Sequence, residues 1–140
     1  MISSATLLFR VAGGSVTYGC DLGDAQEIIP LRPVTRLPGA PAHVRGLLNI
    51  RGTIITVLDL GVRLDPSRAL SARGSIVLVR HGERTVGVVV EEVIDIQTLD
   101  VEEGGATEPA GAVVRGVASL NGSTVIVLDL AAMITQVLLS

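Results

Sequence analysis

The residues best placed to do chemistry in this chain are two aspartates. Asp59 and Asp129 close the related runs Val57-Leu58-Asp59-Leu60 and Val127-Leu128-Asp129-Leu130, 70 positions apart in a chain of 140 residues. Two carboxylates meeting across a twofold axis would share one proton and could activate a water, as an aspartic dyad does. A dyad needs each Asp on a tight loop beside a small hydroxyl residue and a Gly. Here Leu60 and Leu130 follow, and Ala131 stands where Gly61 would be matched. Helix capping is the simpler use of both, since an Asp carboxylate accepts the free N–H groups of a first helical turn.

Other reactive residues are isolated. His43 and His81 fall at unrelated places, and with one cysteine there is no Cys/His spacing for zinc. Cys20 alternates with Val16, Tyr18 and Leu22, which makes it a small buried side chain in a chain with no internal disulfide. The glycines sit at hairpin turns, so there is no phosphate loop, and no serine has a nucleophile-elbow context. Neither an enzymatic constellation nor a metal or cofactor site is expected.

One further residue is out of place. Arg45 to Leu60 and Arg115 to Leu130 match at Arg, Gly, Gly, Val, Leu, Asp and Leu, so the chain is two copies of one half. Each copy carries a hairpin. In the second its turn is Asn121-Gly122, where both residues tolerate the positive φ of a type I′ turn. By register the first turn is Arg51-Gly52. Arginine is no turn former, so Arg51 is either a solvated residue in another turn type or a residue chosen for function.

The elements that position these residues are strands. Thr6 to Val11, a Gly13-Gly14 turn and Ser15 to Leu22 make hairpin one, and Gly23 to Ile29 continues as a third strand. Pro30, Pro33, Pro38 and Pro41 mark an extended connection, and Ala40 to Arg45 has room for one helical turn. Gly46 to Ile50 and Thr53 to Asp59 follow, then a polar linker over Gly61 to Gly74. The second half repeats the plan: Ile76 to Arg80 and Thr85 to Val90 answer hairpin one, and Ile94-Asp95-Ile96 answers Gln26-Glu27-Ile28. Leu130 to Leu139 changes to helical spacing.

Five short strands per copy bury little as an open sheet, and closing each copy removes its edges. The expected fold is all-β: two five-stranded barrel subdomains sharing a hydrophobic core, with a short C-terminal helix. Residues 1–140 form one domain, with subdomain one over about 15–74 and subdomain two over about 75–130. Residues 1–14 and the helix 130–140 pack on the pair.

Composition limits the partners. Hydrophobic residues make up 48% of the chain and aromatics 1%, so the core is aliphatic. The net charge is −3 and every basic residue is Arg, which lacks the basic stripe and stacking rings of a nucleic-acid binder. Residues 1–70 carry seven Arg against five acids, a net +2; residues 71–140 carry four against nine, a net −5. That asymmetry suits contacts between unlike ends. No run approaches the ~18 apolar residues of a membrane span, and the short Leu7-Leu8-Phe9 run lacks the basic start of a signal peptide, so a cytoplasmic protein is expected. What remains is a protein-binding module with a groove where the copies meet. A barrel holding a small apolar ligand would need an internal cavity of about 300 Å³ or more.

The order Tyr18-Gly19-Cys20-Asp21-Leu22, Val34-Thr35-Arg36-Leu37-Pro38, Pro41-Ala42-His43-Val44-Arg45-Gly46, Asn49-Ile50-Arg51-Gly52 and Val57-Leu58-Asp59-Leu60, then Val86-Gly87-Val88-Val89-Val90 and Val127-Leu128-Asp129-Leu130, resembles the CheW family of bacterial chemotaxis coupling proteins. The resemblance runs over nearly the whole chain and is most specific at the Asn-x-Arg-Gly hairpin. It implies two SH3-like subdomains and an adaptor that links the cytoplasmic tip of methyl-accepting chemoreceptors to the regulatory, CheW-like domain of the histidine kinase CheA, with other CheW copies as further neighbours in signalling arrays. It implies receptor binding by Arg51 and Glu27, with Leu22, Ala25, Val88, Val93 and Ile96 lining an apolar groove. It places Glu102, Glu103 and Glu108 on the kinase or adaptor surface. There the chain departs from the family, because Glu102 to Pro109 is more acidic and poorer in proline than the usual apolar-x-Pro-x-Pro segment. An adaptor of a non-flagellar chemosensory system serving only one of receptor or kinase fits the same resemblance.

Overall fold

The computed structural model describes residues 2–104 and 113–139. Ten strands and two helices run in the order β1 (Ile2–Arg10), β2 (Thr17–Asp21), β3 (Ala25–Pro30), β4 (Val44–Ile50), β5 (Thr53–Asp59), α1 (Leu60–Leu64), β6 (Ser75–His81), β7 (Arg84–Val90), β8 (Glu92–Glu103), β9 (Val114–Leu120), β10 (Ser123–Leu128) and α2 (Leu130–Leu139). A 3-10 turn, Leu22–Asp24, joins β2 to β3, and the Asp21 carboxylate starts it by accepting from the Gly23 amide at 2.8 Å. The all-β class, the two five-stranded sheets and the C-terminal helix agree with the sequence expectation.

Strand membership corrects the expected boundary between subdomains. The closed barrel has the order β1-β2-β10-β9-β8 and the other sheet the order β3-β6-β7-β5-β4. Each sheet therefore takes the opening hairpin of one repeat and the last three strands of the other. The parallel pairs β2 with β10 and β5 with β7 make the exchange. A cut between residues 74 and 75 divides both sheets. Alternation in a hairpin specifies which face is buried and carries no information about which repeat covers it.

The second sheet also differs from a closed barrel. Its edges β3 and β4 do not pair along their length; beyond Pro33 the chain returns to β4, and Thr35 and Leu47 exchange two backbone bonds of 2.8 Å each. The corresponding closure of the barrel is Glu102 with Val117 and Glu103 with Gly116. Both closures sit beside the repeated Arg-Gly pair. Gly46 has φ of 145°, and a Cβ there would run into the Thr35 carbonyl; at Gly116 it would run into that of Glu102. The ladder shifts register between Val44 and Gly46, so Arg45 is bulged out of β4.

Three aliphatic clusters hold this arrangement. Leu8, Leu99, Val101, Val125 and Val127 fill the barrel. Ile29, Ile55, Val57, Ile76, Leu78 and Val89 fill the second sheet. Between the two lies the largest, where Leu7, Phe9, Val77, Val79, Leu130 and Ile134 meet, and Phe9 and Tyr18 stack at 6.3 Å. Each fully buried aliphatic side chain stabilises by about 1.5 to 3 kcal/mol relative to exposure, so the shared cluster is what joins the subdomains.

Smaller departures follow from pairing. β1 begins at Ile2, ahead of the expected Thr6, because β8 pairs with it from Ile2 to Arg10. β8 correspondingly runs on to Glu103, which puts Glu102 and Glu103 in a strand. Ala40 to Arg45 holds a turn closed by Val44 N donating to Pro41 O at 3.0 Å, and the Gly61 to Gly74 linker contains most of α1.

Candidate functional site

Arg51 and Gly52 form the two-residue turn between β4 and β5, with φ of 50° and 88°. Asn121 and Gly122, with φ of 51° and 82°, form its counterpart. The register reading is correct, and Arg51 occupies the left-handed region in a turn that the Asn49 carboxamide holds by accepting from the Gly52 amide at 2.9 Å. A non-glycine residue there costs about 1 to 2 kcal/mol, less for Asn.

From the tip of that hairpin Arg51 reaches β3. Its Nη2 donates to Glu27 Oε1 at 2.7 Å and its Nη1 to Oε2 at 3.4 Å, a forked ion pair. The pair spans the open edge between β3 and β4. It lies at the rim: the Arg51 side chain is 71% exposed and that of Glu27 39%. The hydrogen bond from Arg51 holds the Glu27 carboxyl below the usual carboxylate range, helped by the charges of Arg51 and Arg32. Beneath it is an open cleft of about 300 Å³ with Gln26, Thr53 and Thr85 on its walls and Ile50, Ile55 and Leu78 at its floor. The cleft is open at the rim, whereas a small-ligand barrel would need an internal cavity.

Among the described residues the other repeat has no such clasp. Asp95, which answers Glu27, accepts from its own Ile96 amide at 2.8 Å and from Gln97 Nε2 at 3.0 Å. Duplication supplied two hairpins, and one of them carries an ion pair at its tip.

The expected groove residues separate into two sets. Leu22, Ala25 and Val93 are half-buried against the margin of the central cluster. Ile96 is 51% exposed and pairs in register with Leu7, whose side chain is in that cluster. Val88 is a correction: it is 3% exposed and lies inside the cluster, because β7 is the middle strand of its sheet and the opposite subdomain covers it. Ile28, 39% exposed and opposite Val77, is an exposed apolar residue on that face which the expectation omitted. The match between Gln26-Glu27-Ile28 and Ile94-Asp95-Ile96 was the signal for it.

Glu102 and Glu103 are exposed at the end of β8, and Glu108 lies outside the described residues. The two aspartates each serve their own helix. Asp59 is wholly buried: Oδ1 accepts from Val62 N at 3.2 Å, and Oδ2 accepts from Ser71 N at 2.8 Å and Arg45 Nη1 at 3.1 Å. Asp129 Oδ1 accepts from Ala132 N at 2.9 Å. No hydrogen bond joins the two among the described residues, so the geometric basis for a dyad is missing. Burial, with Asp24 and Asp21 adding to it, pushes the Cys20 thiol up to about 12, which removes it as a nucleophile. His81 meets Thr135 Oγ1 at 2.7 Å and so ties β6 to α2. Among the described residues no three metal-ligating side chains cluster, and no helix is long and apolar enough to cross a membrane.

Comparison with known proteins places this geometry in context. The family model described as the CheW-like domain matches residues 5–138. The chemotaxis protein CheW of Klebsiella aerogenes is 34% identical over 91 residues, which cover 64% of this chain and 55% of that protein. The chemotaxis protein CheW of Rhizobium meliloti is 29% identical over 130 residues, 89% of this chain and 83% of the relative. Protein PilI of Pseudomonas aeruginosa is 29% identical over 98 residues, 67% of this chain and 52% of the relative. With two of these three relatives, then, the matching stretch spans little more than half of the relative's length. Among solved structures, the scaffolding protein TtCheW of Thermoanaerobacter tengcongensis superposes with a TM-score of 0.82 at 25% identity, covering 95% of this chain and 88% of that one.

Proposed function

Because the chain belongs to the CheW-like domain family, we propose that it is a chemotaxis adaptor that couples the cytoplasmic tip of methyl-accepting chemoreceptors to the regulatory domain of the histidine kinase CheA. In this reading it works in the cytoplasm, is recruited to receptor arrays, and binds without catalysing a reaction. Other copies of CheW-like domains are its further neighbours.

The observation that carries the reading is Arg51. It stands where folding favours Asn or Gly, at positive φ, with its guanidinium at the protein surface. A residue that stands against its turn preference is explained by what its side chain binds. A receptor-tip acid or carbonyl would take one of the Arg51 donors and fix register, while the apolar margin formed by Leu22, Ala25, Val93 and Ile96 receives one face of a helix.

Co-sedimentation with receptor signalling fragments, with and without kinase, tests the proposal. Wild-type protein should sediment with both, and Arg51→Asp should lose receptor binding by about 1 to 3 kcal/mol with an unchanged circular dichroism spectrum. Unchanged sedimentation of the folded variant would remove Arg51 from the site. The acidic segment from Glu102 favours a second reading, an adaptor that serves only one of the two partners. Sedimentation with receptor in the absence of any kinase contact would select it.

A further inference from the structure

Away from the Arg51 hairpin the second sheet has another opening. Where β3 ends, the Leu31 amide donates to the Gly74 carbonyl at 3.0 Å, tying the proline connection to the turn before β6. Beside that tie lies an open cleft of about 450 Å³ with walls of Pro30, Leu31, Pro33 and Ala72 and guanidinium groups from Arg32, Arg45 and Arg73.

The three arginines are not equivalent. Arg45 is balanced, its Nη1 donating to Asp59 at 3.1 Å and to the Ser71 carbonyl at 2.7 Å. Arg32 and Arg73 are exposed and form no ion pair among the described residues. The field of Arg32 is felt as far as Glu27. Two guanidinium forks outside any ion pair thus stand beside a wall stiffened by two prolines and anchored by the hydrogen bonds of the half-buried Arg45.

We propose that this cleft binds an acidic stretch of a protein partner. Guanidinium forks match carboxylates in pairs, and the apolar wall can cover the methylene stems of Glu side chains. Charge complementarity sets the occupant. Nucleic acid is disfavoured because the one Phe and the one Tyr are buried in the central cluster, and neither histidine lines this cleft. An anionic bilayer is disfavoured by the net charge of −3. The site is separate from Arg51, so it stands or falls independently of the receptor-binding proposal.

A labelled hexaglutamate peptide, titrated with the full chain and followed by fluorescence anisotropy, tests it. Saturable binding at low ionic strength, weakening as salt rises, is expected. Arg32→Glu with Arg73→Glu should weaken it by about tenfold or more, and Arg32→Gln with Arg73→Gln should weaken it in the same direction. Arg80→Glu with Arg84→Glu, which changes net charge equally at the β6–β7 turn, should change it by less than about twofold. Equal losses in the two charge-reversed proteins would show a net-charge effect and overturn the site. So would tighter, Arg32-dependent binding to phosphatidylglycerol vesicles or to inorganic phosphate than to the peptide.

Discussion

Arg51 and Glu27 hold each other across the gap between the two edge strands of the second sheet, β3 and β4, with Nη2 and Oε1 2.7 Å apart. The contact joins the β4–β5 hairpin tip to β3, and the same place in the other repeat has no such contact. An exposed ion pair of this kind adds little stability, because solvent screens it and two long side chains are immobilised to form it. Its consequence is positional: it presents a guanidinium in one orientation at the rim of an open cleft.

Arg51→Asn separates folding from binding. Asparagine fits the left-handed turn better, as Asn121 shows at φ of 51°. Urea denaturation should find the variant as stable as wild type or more stable by about 0.5 kcal/mol, while receptor sedimentation falls as for Arg51→Asp. A variant that kept receptor binding would sink the assigned role.

The pH dependence of the clasp has a definite sign. Glu27 has a lowered carboxyl pKa in the folded protein, chiefly through the Arg51 hydrogen bond, so the pair is fully formed above the ordinary Glu value. Its contribution is lost as pH falls through the lowered folded value. Carbon-detected NMR of the Glu27 carboxyl should show a midpoint below that of an unpaired Glu. In Arg51→Ala the midpoint should return toward the ordinary range.

The repeated aspartates should behave unequally. Asp59→Ala leaves the partly buried Arg45 without its carboxylate and removes acceptors for the Val62 and Ser71 amides, which should destabilise by about 3 kcal/mol in urea denaturation. Asp129→Ala removes a helix cap and should lose about 1 kcal/mol. Equal losses would contradict the burial difference.

Cutting the chain between residues 74 and 75 should leave two fragments that do not fold alone. Each fragment holds a hairpin from one sheet and three strands from the other. Mixed, they should regain the circular dichroism of the intact chain. Independent cooperative unfolding of either fragment would contradict the strand exchange.

Much of this was legible in the residues. The 70-residue repeat, the two tight turns, the capping aspartates and the aliphatic core are local or compositional properties, written in spacings that a strand or helix imposes on its own sequence. The singular position of Arg51 was legible for the same reason, since a turn's φ requirement acts on two residues. Tertiary structure alone decided the rest. Period-two alternation states that one face of β7 is buried; only the strand order shows that both its neighbours and the opposite subdomain enclose Val88, which leaves it 3% exposed. Likewise nothing in either hairpin names its partner. The exchange of β1–β2 and β6–β7 between repeats, and the meeting of Arg51 with Glu27, depend on contacts between residues distant in the chain, and hydrophobic burial, being non-directional, leaves such pairings to the packing of the whole.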